Sequence, residues 1–309
     1  MTHLPSPPRR QLGKSGIEVS ALAWGNWRLC GDDVDAVVKL LHAALDAGIT
    51  LIDTADIYGP DNDEAFGASE ALLGRALATD PSLRGKFVIA TKGGISMGVP
   101  YDSSAGYLTS AIDASLTRLG TDTVELWQIH RPDILTHPSE IAKAIGEAYK
   151  AGKIRSFGVS NFTTSQIATL QQFLELPIVS TQPELSPLKL APIENGELDQ
   201  AIAMDMAVLA WSPLGGGRIA NPSDERTKAV AGLLDEVAEE FGVSRTAAAY
   251  SWIMAHPARV IPIVGSQKAD RIAEAADALK VRWTRARWYA VLVASKGEPC
   301  HDEQLHDCN

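Results

Sequence analysis

The sequence predicts an α/β protein built as a single (β/α)8 TIM barrel. The chain has 309 residues, and α/β barrels commonly reach 250 residues or more as one unit. Short β-rich runs alternate with longer helical patterns along nearly the whole chain, which is typical of a barrel or a doubly wound sheet. Several strands are short, and neither a change in composition nor a flexible linker divides the sequence. These observations favour one closed barrel over residues 1–309.

The predicted elements begin with a β-hairpin over residues 10–19, ahead of the barrel. Eight short apolar runs are predicted as the barrel strands, at residues 21–24, 50–52, 87–91, 124–129, 154–159, 178–181, 207–211 and 260–264. Apolar residues at helical spacing predict helices at residues 34–45, 69–78, 107–119, 139–150, 164–174, 196–204, 227–240 and 244–255. We expect a barrel core over residues 10–280, followed by a C-terminal helix and tail over residues 281–309.

The composition is that of a soluble globular protein, with 45% hydrophobic and 21% charged residues. The 28 basic and 38 acidic residues give a net charge of −10, which disfavours nucleic acid and anionic membranes as partners. No apolar run approaches the roughly 18 residues of a membrane span, and prolines interrupt the N-terminal stretch where a signal peptide needs an apolar core. We therefore expect a cytoplasmic protein, as a monomer or a small homo-oligomer.

The three cysteines, Cys30, Cys300 and Cys308, give no disulfide framework. Two of them share the tail with His301 and His306, and these four side chains have the ligand types of a zinc site. The adjacency of Cys300 and His301, together with the terminal position, favours a solvated tail instead. We predict no metal site.

Polar residues follow the apolar runs of six predicted strands. They are Asp53, Lys92, His130, Asn161, Gln182 and Ser212. Each alone has an ordinary structural explanation, such as a helix cap, a hydrogen-bonded histidine or a solvated lysine. In a barrel, however, the carboxyl ends of all strands open onto one face, and that face carries the chemistry. With Tyr58 in the loop after Asp53, the set indicates a site for proton transfer.

Five segments carry a resemblance to a known family. They are DTADIYG at 53–59, ATKG at 90–93, LWQIHRPD at 126–133, GVSNF at 158–162 and WSPLG at 211–215. In this order they resemble the aldo-keto reductases, from about Gln11 to Leu279. The segments at 186–188 and 211–218 are most similar to the bacterial oxidoreductase branch.

The resemblance implies a catalytic tetrad of Asp53, Tyr58, Lys92 and His130. Tyr58 would be the general acid that protonates a carbonyl oxygen during hydride transfer. Lys92 would lower the pKa of Tyr58, since a nearby ammonium favours phenolate, and Asp53 would hold Lys92 in place. His130 would orient the carbonyl. Independently of the resemblance, Trp27 follows the first strand, so it either lines the substrate mouth beside Tyr58 and His130 or packs in the core.

The resemblance also implies NADPH (NADP+) as cofactor, although no Gly-x-Gly-x-x-Gly fingerprint follows an early strand. Ser160, Asn161 and Gln182 would bind the nicotinamide carboxamide, and Trp211 would stack on the ring. The remaining implied contacts fall into three groups: Gly25 and Asn26 after the first strand; Ser212, Leu214, Gly215, Gly217 and Arg218 at the pyrophosphate; and Gly265, Ser266, Lys268, Arg271 and Glu274 at the adenosine 2′-phosphate and adenine.

The predicted function is therefore NADPH-dependent reduction of aldehydes or ketones to alcohols. One alternative is a nucleotide-binding regulatory or sensor barrel with little turnover. A second is a lyase or aldolase with Lys92 as Schiff-base former, although a lysine paired with Asp53 stays charged and is a poor nucleophile. The residues do not indicate which carbonyl compound is the substrate or in which direction the reaction runs.

Overall fold

A closed barrel of eight parallel strands organises the computed structural model, which describes residue 4 and residues 7–297. Ahead of it, β1 (Arg9–Gln11) and β2 (Glu18–Ser20) pair as an antiparallel hairpin. The barrel strands are β3 (Ala23–Gly25), β4 (Leu51–Asp53), β5 (Val88–Gly93), β6 (Leu126–Ile129), β7 (Phe157–Ser160), β8 (Ile178–Gln182), β9 (Ala207–Ala210) and β10 (Ile261–Val264). Because β10 pairs with both β9 and β3, the sheet closes, and the predicted (β/α)8 barrel is confirmed.

Helices connect the strands. They are α1 (Val34–Asp46), α2 (Ala68–Thr79), α3 (Ala105–Leu119), α4 (Pro138–Lys150), α5 (Thr164–Gln171), α6 (Ala191–Glu194), α7 (Glu197–Met204), α8 (Glu225–Phe241), α9 (Arg245–Met254), α10 (Ala269–Ala275) and α11 (Arg285–Lys296). Local sequence sets several starts: Thr163 and Asp224 each form a capping box with the side chain three residues later. The short α6 was not predicted.

The hairpin closes the amino-terminal end of the barrel. Leu12 and Val19 are fully buried against the interior residues of the strands, among them Leu51, Leu126 and Val179. Between β1 and β2 the chain passes so close to β8 that a Cβ on Gly13 would lie 2.3 Å from the carbonyl oxygen of Val179. The hairpin therefore acts as an apolar plug at this end.

A second apolar layer lies between the barrel and the surrounding helices, and α11 belongs to it. Trp252 of α9 and Trp288 of α11 stack with ring centroids 4.7 Å apart and an interplanar angle of 9°. Each indole N–H donates to the backbone carbonyl of the other residue, at 3.0 and 2.9 Å. These paired contacts fix the C-terminal helix to the barrel wall.

Within the described residues, no helix is long and apolar enough to cross a membrane. Cys30 is an exposed free thiol. The tail residues Cys300, His301, His306 and Cys308 lie outside the described part of the chain, so the prediction of a solvated tail stays a prediction.

Candidate active site

The centre of the site is a buried ion pair at the carboxyl ends of two neighbouring strands. Lys92 of β5 donates through Nζ to Asp53 Oδ2 of β4 and to the carbonyl oxygen of Thr54, both at 2.7 Å. The Lys92 side chain is 0% exposed. The other carboxylate oxygen, Asp53 Oδ1, accepts a hydrogen bond from Gln182 Nε2 of β8 at 2.8 Å. Burial lowers the pKa of Lys92, but Asp53 and Tyr58 raise it more, so the pKa lies above its ordinary value.

Tyr58 lies over this pair, in the loop that follows β4. Its ring centroid is 5.0 Å from Lys92 Nζ. The loop is held by tight backbone packing, since a Cβ on Gly59 would lie 1.9 Å from the carbonyl oxygen of Ala65. Ser69 N donates to the carbonyl oxygen of Tyr58 at 3.1 Å. The phenol is thereby placed at the wall of the cleft, directly above the lysine.

The pKa of Tyr58 departs from the expectation based on the sequence. Burial raises this pKa above its ordinary value, and the Lys92 ammonium lowers it without fully offsetting the burial. The predicted contribution of Lys92 has the right sign, but the net shift is upward. The reason is that removing the phenol from water disfavours the phenolate more than one shared ammonium favours it.

His130 follows β6 and faces Tyr58. The two rings meet edge to face, with centroids 5.8 Å apart and an interplanar angle of 80°. His130 N donates to the carbonyl oxygen of Gly93 at 2.8 Å, which ties the histidine to β5. Burial, followed by the cations Lys92 and Arg131, lowers the pKa of His130 well below its usual range. The imidazole is therefore neutral at physiological pH and can donate one N–H.

Beside the tetrad, a cluster of amide and hydroxyl groups is built from β7, β8 and the start of the loop after β9. Asn161 Nδ2 donates to Ser160 Oγ at 2.8 Å and to the carbonyl oxygen of His130 at 3.1 Å. Asn161 Oδ1 accepts from Trp211 Nε1 at 3.0 Å. Because both amide hydrogens of Asn161 are in use, the residue has only a lone pair left for a ligand. Ser160 Oγ, which donates to the carbonyl oxygen of Gln182 at 2.9 Å, is likewise left as an acceptor.

Two non-glycine residues that line the cleft have a left-handed backbone that side chains rarely adopt. Asn161 has φ 60° and Ser212 has φ 49°. Such conformations cluster at functional sites, where the surrounding structure holds them against their cost. Here they lie directly after β7 and close after β9, and their own side chains line the cleft.

The loop after β9 lies along one side of the cleft. Ser212, Leu214 and Gly217 line it, whereas the predicted cofactor residues Gly215 and Arg218 do not. Instead, Arg218 Nε donates to the carbonyl oxygen of Gly215 at 3.2 Å, which fastens the glycine turn. Gly215, Gly216 and Gly217 all have positive φ, which glycine adopts without strain.

At the far end of the cleft, the segment after β10 supplies two cations. Lys268 and Arg271 are exposed, and neither side chain forms an ion pair with another residue of the described chain. Ser266 Oγ accepts from the Lys268 backbone N–H at 3.2 Å. The predicted residues Gly265, Ser266, Lys268, Arg271 and Glu274 all line the same cleft as Tyr58 and His130.

The cleft joins these groups in one elongated cavity with a volume of about 1050 Å³. Trp27 stands at its mouth, 41% exposed, with its Nε1 donating to Asp61 Oδ2 at 3.1 Å. Gly25 also lines the cleft, but Asn26, which follows β3, is fully buried and does not. The structure therefore gathers nearly all the predicted residues around the cleft. Outside the lining are Lys92, which lies buried beneath Tyr58, and Asn26, Gly215 and Arg218.

Sequence reasoning missed several lining residues. Arg131 lies with its guanidinium carbon 5.7 Å from the Trp211 ring, and Arg28 lies 4.5 Å from the Trp27 ring. Both directly follow a residue that was predicted, so the strand-end rule could have included them. Tyr250 of α9 also lines the cleft, but it lies in a helix far from any strand end, and no pattern in the sequence indicates it.

Comparison with known proteins agrees with this geometry. Residues 21–291 match the model of the aldo/keto reductase family. A 6-dehydroglucose reductase of Novosphingobium aromaticivorans is 60% identical over 301 residues, covering 96% of this chain and 99% of the relative. A second 6-dehydroglucose reductase, from Agrobacterium fabrum, is 37% identical, covering 91% and 96%. The oxidoreductase YdhF of Escherichia coli is 35% identical, covering 94% and 98%.

A solved structure is similar along the whole barrel. A thermostable aldo-keto reductase, crystallised with the inhibitor epalrestat, superposes with a TM-score of 0.79 at 25% identity, covering 93% of this chain and 99% of the other. The family match spans most of the chain, and the named relatives include bacterial oxidoreductases. The chain therefore belongs to the aldo/keto reductase family and is an oxidoreductase of its bacterial branch.

Proposed function

We propose that this protein reduces aldehydes or ketones to alcohols with NADPH, and that Tyr58 is the general acid. The observation that carries the proposal is the stacked arrangement of Asp53, Lys92 and Tyr58 at the wall of the cleft, with His130 beside the phenol. This arrangement places a proton donor, a buried cation and a neutral hydrogen-bond donor around one point. A carbonyl oxygen at that point would be polarised and protonated without water.

The residues of the cleft fit a nicotinamide dinucleotide, the cofactor type that aldo-keto reductases use. Ser160 Oγ, Asn161 Oδ1 and Gln182 Oε1 keep acceptor lone pairs beside Trp211, which suits a carboxamide N–H₂ next to a flat ring. At the opposite end, Lys268 and Arg271 are cations without ion-pair partners in the described chain, which suits phosphate. We assign the 2′-phosphate of NADPH to Ser266 and Arg271.

When bound, the cofactor supplies the hydride. Tyr58 transfers its proton to the carbonyl oxygen, which would otherwise become an alkoxide. The Lys92 ammonium, 5.0 Å from the phenol ring, stabilises the phenolate that this transfer leaves behind. Asp53 keeps Lys92 charged and fixed, because its carboxylate accepts from both Lys92 and Gln182. His130 donates to the same carbonyl oxygen as a neutral imidazole and sets its orientation.

We infer a sugar aldehyde as the substrate class. Two relatives are named as 6-dehydroglucose reductases. One of them is 60% identical to this chain, and the match covers 99% of that relative's length. The mouth of the cleft suits a polyhydroxylated molecule, because it combines the half-exposed Trp27 ring with the charged side chains of Asp61 and Arg131. An aromatic face can pack on the C–H surface of a sugar ring, while charged planar groups bond its hydroxyls.

The test is NADPH oxidation with a panel of carbonyl compounds that includes 6-dehydroglucose and an apolar aromatic aldehyde. We expect turnover with both and a higher kcat/KM for the sugar aldehyde. Tyr58→Phe should lower kcat by about 10²–10⁴-fold, as expected for loss of a general acid, while the Kd for NADPH stays within about threefold. Wild-type turnover in Tyr58→Phe would contradict the assignment, and NADPH binding without turnover on any carbonyl would favour a sensor role.

A further inference from the structure

A second carboxyl group, Asp56, is buried directly behind the tetrad and has no part in the proposed chemistry. Its side chain is 1% exposed, and within the described part of the chain neither carboxyl oxygen has a side-chain hydrogen-bond partner or an ion-pair partner. Its backbone N–H donates to the carbonyl oxygen of Lys92 at 3.0 Å. A Cβ on Gly93 would lie 3.0 Å from Asp56 Oδ2 and 2.8 Å from the Trp127 ring, so the carboxyl group is enclosed against β5.

The charged groups around Asp56 already have other partners. Glu70 of α2 is fully buried, accepts from Arg118 Nε of α3 at 2.7 Å, and also accepts from Thr91 Oγ1. Lys92 is engaged by Asp53. The remaining ionisable groups that face Asp56 are the phenols of Tyr58 and Tyr107. Three buried carboxyl groups, those of Asp53, Asp56 and Glu70, thus share two cations.

A buried carboxylate without a hydrogen bond or a cation is much more costly than a buried neutral acid. We propose that Asp56 is held as a protonated, neutral carboxylic acid, and that its neutrality reserves the Lys92 ammonium for Asp53 and Tyr58. Asp56 is in this view a positioning residue, and this role rests on the proposed function of Lys92 and Tyr58. The protonation state itself does not depend on that function.

The electrostatics of the cluster agree with this assignment. Burial, followed by the negative charge of Glu70, raises the pKa of Asp56 well above its ordinary value, and Arg118, the backbone N–H of Ile57 and Lys92 only partly oppose this. An anion at Asp56 would raise the pKa of Tyr58 further, as Asp53 already does. It would also compete with Asp53 for the Lys92 ammonium, which two carboxylates would then attract. A neutral Asp56 avoids both effects, so the Tyr58 phenolate forms more easily than it would beside a second anion.

The test compares the unfolding equilibria of wild type and Asp56→Asn between pH 4 and pH 8. A group whose pKa is higher in the folded than in the unfolded state makes the folded protein less stable as pH rises between the two pKa values. Asparagine is neutral throughout and lacks this effect. We therefore expect Asp56→Asn to equal wild type near pH 4 and to become more stable than wild type above it. The ratio of the two unfolding constants should grow by up to about tenfold per pH unit.

Glu70→Gln is the matched control, because Glu70 is the carboxylate that Arg118 pairs with. It should be less stable than wild type at pH 7, and the difference should shrink on acidification. If Asp56→Asn instead loses stability at pH 7, or if its difference from wild type does not change with pH, Asp56 is ionised and the proposal fails. If Glu70→Gln gains stability while Asp56→Asn loses it, the proton belongs to Glu70.

Two further measurements do not use the unfolding equilibrium. The infrared band of a protonated carboxyl should be present in the wild type at pH 7 and absent from Asp56→Asn. In NADP+-dependent alcohol oxidation, the alkaline inflection that reports Tyr58 should coincide in wild type and Asp56→Asn; a downward shift in the variant would mean that wild-type Asp56 is charged. If no oxidoreductase turnover exists at all, the stability and infrared results still decide the state of Asp56.

Discussion

The two ends of the barrel are built from the same short strands, yet they differ in almost every physical respect. At the amino-terminal end, Leu51 of β4 and Ala90 of β5 belong to the same apolar cluster as Leu12 and Val19 of the hairpin plug. Two residues further along each strand, Asp53 and Lys92 form a buried ion pair at the carboxyl end. A distance of two residues along each strand thus separates the apolar core from the candidate active site.

The difference shows how the fold divides its tasks. The amino-terminal end gains stability from apolar burial and from the close approach of the hairpin to β8. The carboxyl-terminal end holds the buried ion pair of Asp53 and Lys92 and the polar side chains that line the cleft. Their desolvation lowers stability, but it places polar groups in fixed positions. Substitutions at the carboxyl-terminal end should therefore alter activity, and substitutions at the amino-terminal end should alter stability alone.

The largest effect is expected for Lys92→Met, which should reduce both activity and stability. It leaves the buried Asp53 carboxylate without its cation, at a cost of about 3–5 kcal/mol in the free energy of unfolding. It also removes the charge that stabilises the Tyr58 phenolate. Chemical denaturation and NADPH oxidation would measure the two losses. The control is the double variant Asp53→Asn with Lys92→Met, which should recover much of the stability but none of the activity; no recovery would mean that the pair is not the source of the loss.

Leu12→Ala should lower stability without changing the chemistry. Leu12 is fully buried in the plug, and truncation of a buried leucine costs about 2–5 kcal/mol. Since the plug lies at the opposite end from Tyr58, kcat and KM below the melting temperature should stay within about twofold of wild type. A drop in kcat in the folded variant would show that the two ends are coupled and would break the comparison.

Arg271→Ala should affect the KM for NADPH and the KM for NADH differently. Loss of a charge-assisted hydrogen bond of about 1.5–3 kcal/mol predicts an increase of tenfold or more in the KM for NADPH. The KM for NADH should barely change, because NADH has no 2′-phosphate. Arg285→Ala, an exposed arginine of α11 outside the cleft, is the control for a general loss of positive charge. Equal effects of Arg271→Ala on both cofactors would rule out a 2′-phosphate contact.

The smallest effect is expected for pH in the reductive direction. Reduction requires protonated Tyr58, and its raised pKa extends that form to higher pH. It also requires neutral His130, and the lowered pKa of His130 extends that form to lower pH. We therefore expect kcat/KM to vary by less than about twofold between pH 6 and pH 9. An inflection near the ordinary histidine pKa of about 6.5 would show that His130 is charged in the working enzyme.

The regular part of the fold could be predicted because it depends on local pattern. All eight barrel strands and the hairpin were located from apolar runs and alternation, and Asp53, Lys92 and His130 were found because they end such runs. The net pKa shift of Tyr58 could not be predicted, because it depends on how much water the surrounding loops exclude. The involvement of Tyr250 depends on the packing of α9 against the cleft, which no short-range pattern encodes.

The sequence by itself determined the order of strands and helices, the family and the residue types that meet at one end of the barrel, because these follow from periodicity and from motifs that are contiguous in the chain. The tertiary structure alone decided which groups are saturated and which stay free. It uses both amide hydrogens of Asn161 within the protein, buries the side chain of Asn26, and leaves Asp56 without a side-chain partner. These outcomes depend on distances between segments far apart in the chain, and such distances exist only once the barrel has closed.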